Sequence, residues 1–389
     1  MTSFLSTLNL PSTIIVGAGA SREVGVQLAR LGARHALIVT DPFFRQNGLV
    51  DTIASLIQAS GIAVSVFAEV QPDPTDSNVR AGVQALRDAD ADAVVAVGGG
   101  SAIDAAKAIA ILARNPEPMR QYMGYHKIAQ AGVPMIAIPT TAGTGSEATR
   151  VAVITDTEHQ ENMMMLSAHL MASVALVDFE LSLSMPKALT AHVGVDTLTH
   201  GIEAYVSHKA NGMTDPIALS CIGLTARWLR TAWYEPDNRP AREGMALAAC
   251  QGGMAFSNSS VCLVHGMSRP LGALYHIPHG LSNAVLLPTV TRFSIAGAPQ
   301  RYAMISRSMG YAADSDNDDV AAHKLVEGLA ALNRALQIPT LRDCIKMDRA
   351  TFETTLEKMA SDALASGSPQ NNPVVPTVVQ IVALYRQAW

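Results

Sequence analysis

The chain has 389 residues, 49% of them hydrophobic, with 28 Gly, 20 Pro and 16% charged residues; at about 150 residues per domain this predicts two domains with full cores and excludes a disordered chain or a miniprotein. A formal net charge of -5 with no Lys/Arg-rich run lacks the electrostatic footprint of a nucleic-acid binder. No apolar run of about 18 residues predicts a membrane span, and no basic stretch precedes an apolar core at the start, so the expected location is the cytoplasm.

A charged fraction below the roughly 25% of average soluble domains points to much buried helix or to an oligomer interface. The four cysteines, Cys221, Cys250, Cys262 and Cys344, form no CxxC pair. They are expected to be buried small hydrophobes rather than a disulfide framework or an all-cysteine zinc site.

Up to about residue 180, short apolar runs alternate with amphipathic stretches. TIIVG, ALIVTD, VSVFAEV, ADAVVAVGGG and VPMIAIPTT read as strands. SREVGVQLARLG, GLVDTIASLIQASG, VRAGVQALRDA and SAIDAAKAIAILA read as the helices between them. This βαβ rhythm predicts an α/β domain over residues 1–184, built on a parallel sheet with helices on both faces.

After MPKALT the periodicity turns helical, and an all-α domain is expected over residues 185–389. Its helices are PKALTAHVGVDTLTHGIEAYVS, TDPIALSCIGLTARWLRTAW, DDVAAHKLVEGLAALNRALQI, RATFETTLEKMASDALA and VVPTVVQIVALYRQAW. The second of these opens with Thr214 or Asp215 as cap and Pro216 in the first turn. GSPQNNPVVP reads as a loop.

Gly98, Gly99, Gly100 and Ser101 lie between a strand and an Ala-rich helix, where backbone N–H groups and the helix's positive end can converge on a phosphate. A tight turn between strand and helix would also need small residues. The run is not a GxGxxG fingerprint, and neither is Gly17-Ala-Gly19, which has Arg22 in the place of the last glycine. Asp41 follows the strand ALIVT, where a carboxylate can hold a ribose diol and repel a 2′-phosphate, or can simply cap the helix that begins at DPFF. The first use favours NAD over NADP.

Asp196 and His200 are four apart in a helical stretch, so both leave one face. His265 in SVCLVHGM and His279 in IPHG add two imidazoles in apolar surroundings, which need partners. Three imidazoles and a carboxylate suit Fe(II), Zn(II) or a similar ion. Satisfied core histidines are the alternative.

The segments LIVTD, PDPT, GGGSAIDAAK, PTTAGTGSEAT, GVDTLTHGIEAY and LVHGMSRPLGALYHIPHGLSNAVLLP occur in this order over nearly the whole chain. In them the sequence resembles the iron-containing (group III) alcohol dehydrogenases, within the superfamily that includes glycerol dehydrogenase and dehydroquinate synthase. The resemblance implies a Rossmann-like NAD(H)-binding domain over 1–184 and a helical metal-binding and catalytic domain over 185–389, with the active site in the cleft between and homodimers or larger assemblies. It places the metal ligands on Asp196, His200, His265 and His279, with Fe(II) first and Zn(II) or Mn(II) as alternatives. It places the pyrophosphate on Gly98, Gly99, Gly100 and Ser101, the adenosine ribose on Asp41, and further cofactor contacts on Thr140, Thr141 and Thr144. Asp104 and Lys107 belong to the cofactor-loop motif, although their simplest reading is a first-turn charge and an exposed lysine.

The implied reaction interconverts a small primary alcohol and its aldehyde. The metal acts as a Lewis acid on the substrate oxygen, and hydride passes to or from the nicotinamide. Val151, Met164 and Phe256 match positions lining the family's substrate pocket, or are ordinary packing. Three positions depart from the family pattern: Arg269 replaces a second histidine near the nicotinamide, Asn162 a common lysine, and Asp73 the Asn of PNPT. An arginine cannot relay a proton. It can hold the anionic tail of an acid-bearing aldehyde, with Arg150 as a helper, or pair with a nearby acid or the cofactor phosphates. Two rival readings are a superfamily lyase using NAD transiently and a non-catalytic structural homologue. The four matching ligand positions speak against the second.

Overall fold

The computed structural model describes residues 5–159 and 161–389. They form two compact units, Asn9–Ser184 and Met185–Trp389, residues 5–8 being grouped with the latter.

The first unit runs β1 (Thr13–Val16), α1 (Val24–Arg30), β2 (His35–Val39), α2 (Pro42–Gln46), α3 (Leu49–Gln58), β3 (Ala63–Phe67), α4 (Asp76–Asp88), β4 (Ala93–Gly98), α5 (Gly100–Leu112), β5 (Gly124–Tyr125), β6 (Met135–Pro139), β7 (Val151–Asp156), β8 (Glu161–Leu166) and β9 (Val174–Val177). Six strands form one parallel sheet in the order β1-β9-β6-β4-β2-β3. Successive residues of each strand feed two different cores, because a strand's side chains alternate between faces. Leu37, Val39, Val94, Ala96, Met135 and Ala137 pack with Val79 and Val83 of α4 and Ile103 and Ile109 of α5. Ala36, Ile38, Val95, Val97, Ile136 and Ile138 pack with Val24 and Leu28 of α1 and Ile53 and Ile57 of α3. Covering both faces is why these strands read as unbroken apolar runs.

From β2 the chain moves outward to β3 and then returns to place β4 on the other side of β2. The carboxyl ends of β2 and β4 therefore flank a topological switch point, the usual ligand crevice of open α/β sheets. Asp41 and Gly98–Gly100 sit at those two ends.

A second, three-stranded sheet, β5-β8-β7, adds an antiparallel β7–β8 hairpin that the sequence pattern did not predict. Strand β8, ENMMML, holds no β-branched or aromatic residue, so propensity gave no signal. Alternation still holds, with Met163 and Met165 buried and Met164 on the opposite face.

The second unit is helical: α6 (Lys187–Val206), α7 (Asp215–Tyr234), α8 (Arg239–Ser259), α9 (Leu263–Tyr275), α10 (His279–Ser294), α11 (Pro299–Ser308), α12 (Asp318–Ala335), α13 (Leu341–Ile345), α14 (Arg349–Ala365) and α15 (Val378–Ala388). Helices α6, α7, α12, α14 and α15 follow the predicted periodicities. Helices α8 to α11 were not legible, since α8 is rich in small residues and α9 and α10 contain Pro270 and Pro288. The small residues permit close packing: a Cβ on Gly244 of α8 would lie 2.2 Å from the Trp228 ring of α7. Helix α6 lies against α7, α8 and α10. Cys221, Cys250 and Cys262 are buried thiols, Cys344 is half-buried, and none of the four forms a disulfide. Among the described residues no helix is long and apolar enough to cross a membrane.

Candidate active site

In the helical unit, α6 presents Asp196 and His200 one turn apart, α9 brings His265, and α10 begins with His279. Their four ligand atoms lie within 4.8 Å of one another. Asp196 Oδ1 is 3.8 Å from His200 Nε2, 3.7 Å from His265 Nε2 and 3.9 Å from His279 Nε2. Three of the residues are buried, while the His279 side chain is 50% exposed and gives the cluster an open side.

Burial alone would raise the Asp196 carboxyl, but the neighbouring His200, His279 and His265 and the Asn283 amide outweigh it and hold the group below the ordinary carboxylate range. Burial drives His265 well below an ordinary imidazole, reinforced by His200 and His279. The cluster is thus an anionic oxygen beside imidazole nitrogens with lone pairs, a donor set that fits a divalent ion. Asn283 Nδ2 reaches into it, 2.7 Å from Asp196 Oδ1 and 3.2 Å from both His265 Nε2 and His279 Nε2. Its Oδ1 is buried with no hydrogen-bond partner among the described residues.

In the α/β unit, β4 ends at Gly98, where a Cβ would lie 2.6 Å from the Ala102 Cβ, so no larger residue fits. Gly99 caps α5 without a side-chain hydrogen bond, and no acidic residue occupies the first turn. The first N–H groups of α5 are left for an anion. Thr141 and Thr144 overhang the same turn: a Cβ on Gly99 would stand 3.4 Å from Thr141 Oγ1, and one on Gly100 2.9 Å from Thr144 Cγ2. Thr140 Oγ1 is buried and unpartnered among the described residues. Asp41 follows β2 beside the same turn. Its Oδ1 caps α2 by accepting from Phe43 N (2.9 Å) and Phe44 N (3.1 Å), while Oδ2 lies 3.8 Å from the Cβ position of Gly98. A capless helix start, an unpartnered hydroxyl and a strand-end carboxylate around one glycine turn fit a dinucleotide.

The family model for iron-containing alcohol dehydrogenases matches residues 11–179, and the model for the C-terminal part of the Fe-containing alcohol dehydrogenase family matches residues 190–389. The chain belongs to the iron-containing alcohol dehydrogenase family. It is 36% identical over 388 residues to the NAD-dependent methanol dehydrogenase of Bacillus methanolicus, with 100% of both chains covered. Its fold is similar to the crystal structure of a 1,3-propanediol oxidoreductase at TM-score 0.96 and 38% identity, covering 99% of this chain and 100% of that one. It is also similar to sulfoacetaldehyde reductase from Bifidobacterium kashiwanohense in complex with NAD+, at TM-score 0.86 and 30% identity, covering 99% of each chain. As an iron-containing alcohol dehydrogenase the protein is an NAD(H)-dependent, metal-dependent alcohol/aldehyde oxidoreductase.

Two expectations for this alcohol dehydrogenase need correction. Lys107 is not exposed but 1% accessible, and its Nζ donates to Ser146 Oγ (2.9 Å), Thr149 Oγ1 (2.9 Å) and the Val151 carbonyl (2.7 Å). Asp104 lies beyond the first turn of α5, and its two oxygens accept from Ser146 Oγ (2.6 Å) and Val153 N (2.9 Å). Together they tie α5 to β7 and to the turn that follows Thr144.

Phe256 is brought to the Asp196–histidine cluster, its ring stacked on His200 with centroids 4.4 Å apart. Val151 and Met164 lie on the β7–β8 hairpin, Val151 turning its carbonyl to Lys107 and Met164 paired with Val153. Arg150 immediately precedes β7 and is half-buried. Arg269 stands one turn after His265 on α9 and donates from Nη1 to the Ser366 carbonyl (3.2 Å) at the C-terminal end of α14. That contact is to a helix-terminal carbonyl, where a cation is favourable.

Sequence reading missed Glu203 and Asn283. A signal existed for both: Glu203 follows His200 by three and Asn283 follows His279 by four, so each shares its ligand's helix face. Lys107 also carried one, as the lone cation in an Ala/Ile helix with Asp104 three residues before it.

Proposed function

We propose that the protein reduces a small aldehyde bearing an anionic group to its primary alcohol, with Asp196, His200, His265 and His279 holding the metal. The observation that carries the metal assignment is the convergence of four ligand atoms within 4.8 Å with one side open. When bound, the metal supplies a Lewis acid and NAD(H) the hydride chemistry. Gly98, Gly99, Gly100 and Ser101 cradle the pyrophosphate, Asp41 holds the adenosine ribose, and Thr140, Thr141 and Thr144 line the turn. Asp104 positions that turn through Ser146. Phe256 shields His200 with an apolar ring, and Val151 and Met164 are the apolar residues of the β7–β8 hairpin that match substrate-pocket positions of the family.

Arg269 holds the substrate's anionic tail through a charge-assisted fork. Support comes from its place one turn from His265, from the Ser366 carbonyl that steadies one of its donors, and from the similarity to a sulfoacetaldehyde reductase. The 16% charged fraction supports a homodimer or larger assembly, and a single-chain mass by light scattering would remove it; the proposed location is the cytoplasm.

The test is NADH consumption by chelator-stripped protein refilled with Fe(II), Zn(II) or Mn(II), against paired neutral and acidic aldehydes. Restored turnover is expected, and Arg269→Ala should raise KM for the acidic aldehyde about tenfold more than for the neutral one. Equal losses would dismiss the tail. No turnover with any metal or aldehyde, while NADH still binds, would point to the lyase or to the non-catalytic homologue.

A further inference from the structure

A carboxylate behind the metal cluster does work that ligand spacing alone does not show. Glu203 lies on α6 seven residues after Asp196 and three after His200, hence on their face, and is 2% exposed. Across from it α9 starts without a cap of its own: Cys262 at the N-cap offers no side-chain capping bond to the helix, its thiol donating instead to the Glu203 and Asn371 carbonyls, and Ser260 before it turns at φ 79°. Glu203 fills that gap from another helix. Its Oε2 accepts from Cys262 N at 2.8 Å, and its Oε1 from Val264 N at 2.6 Å. The same Oε2 lies 2.6 Å from His265 Nδ1.

Each of these three neighbours has a nitrogen facing an acceptor-only group. A carboxylate buried this deeply is tolerable only when its lone pairs are met in this way. The proton that suits the contact sits on His265 Nδ1, which leaves the Nε2 lone pair toward Asp196, His200 and His279.

We propose that Glu203 is a positioning residue that caps α9 from α6 and, through Nδ1, fixes the tautomer and ring orientation of His265 as a metal ligand. The inference rests on the reading that the four-residue cluster holds the metal. Ligand geometry on α6 and α9 is thereby coupled through one side chain, an arrangement of the carboxylate–histidine–metal kind.

Glu203→Gln is the informative substitution, because an amide offers one acceptor and turns its NH2 toward a backbone N–H. Asn371→Ala is the control for mere destabilisation. Asn371 Nδ2 braces the loop before α9 through Ser260 Oγ (2.9 Å) and the Val261 carbonyl (3.2 Å) without touching His265. Zn(II) affinity, read by chelator competition, should fall about 10–100-fold in E203Q and stay near wild type in N371A. Equal affinities in wild type and E203Q, with only the melting temperature lowered, would reduce Glu203 to a helix cap and overturn the proposal.

If E203Q fails to fold, the 15N-histidine NMR spectrum of the wild-type protein decides, with the His265 signal identified by its loss in H265Q. A proton on Nδ1 supports the proposal and a proton on Nε2 overturns it. A wild-type protein that takes up no Zn(II) would instead overturn the four-ligand reading, and the same spectrum would still report the His265 tautomer.

Discussion

Replacing Lys107 by Met keeps the side chain's length and packing but removes an ammonium that joins α5 to β7. Wild-type Nζ donates to Ser146 Oγ, Thr149 Oγ1 and the Val151 carbonyl, and stands 3.7 Å from Asp104 Oδ1. Removing one partner of a buried charged pair costs about 3–5 kcal/mol. Asp104 retains its bonds from Ser146 and Val153, so the lower end, about 3 kcal/mol, is expected at pH 7. For a unit of this size that is a fall of roughly 6–12 °C in its melting transition, readable by calorimetry.

The pH dependence supplies a second check. Burial holds the Lys107 ammonium down to about 8, against 10.5 for a free lysine, although Asp104 and Glu147 oppose the shift. Between those values the unfolded chain binds a proton that the folded chain has released, so wild-type stability rises with pH across this window. The gap between wild type and K107M should therefore widen from pH 8 toward pH 10.5, by about 3 kcal/mol in full. A melting shift under about 2 °C, or a gap that does not change between pH 7 and pH 10, would refute the account of a buried, paired ammonium.

Gly100→Val places its Cβ 2.9 Å from Thr144 Cγ2 and should weaken NADH binding, measured by fluorescence titration, about tenfold or more without changing metal content; unaltered affinity would remove Thr144 from the cofactor turn. Asp196→Asn takes the only carboxylate from the ligand set, so metal retained after dialysis should drop to about a tenth of wild type or less, and full retention by elemental analysis would contradict the assignment. Adding Zn(II) at about 100 times its Kd to stripped protein should stabilise the helical unit by about 2.7 kcal/mol, and a calorimetric trace in which that transition does not move would count against a site there.

The α/β rhythm was legible because strands covered on both faces are apolar throughout, and helices with one buried stripe carry the period of the helix. The same logic placed Asp196 and His200 on one face, and the glycine turn between β4 and α5. Periodicity reports only which side of an element is buried, and says nothing of what covers it. Lys107 looked exposed because nothing local announces that β7 and the turn at Ser146 close over α5. Likewise the meeting of His265 with Glu203, 62 residues apart, and of Asn283 with Asp196, 87 apart, depends on helix packing. Residue types and local spacing were set by the sequence; which lone pairs face which N–H groups was decided only when distant helices, driven together by burial of their apolar faces, brought these polar groups out of water and left them no other partners.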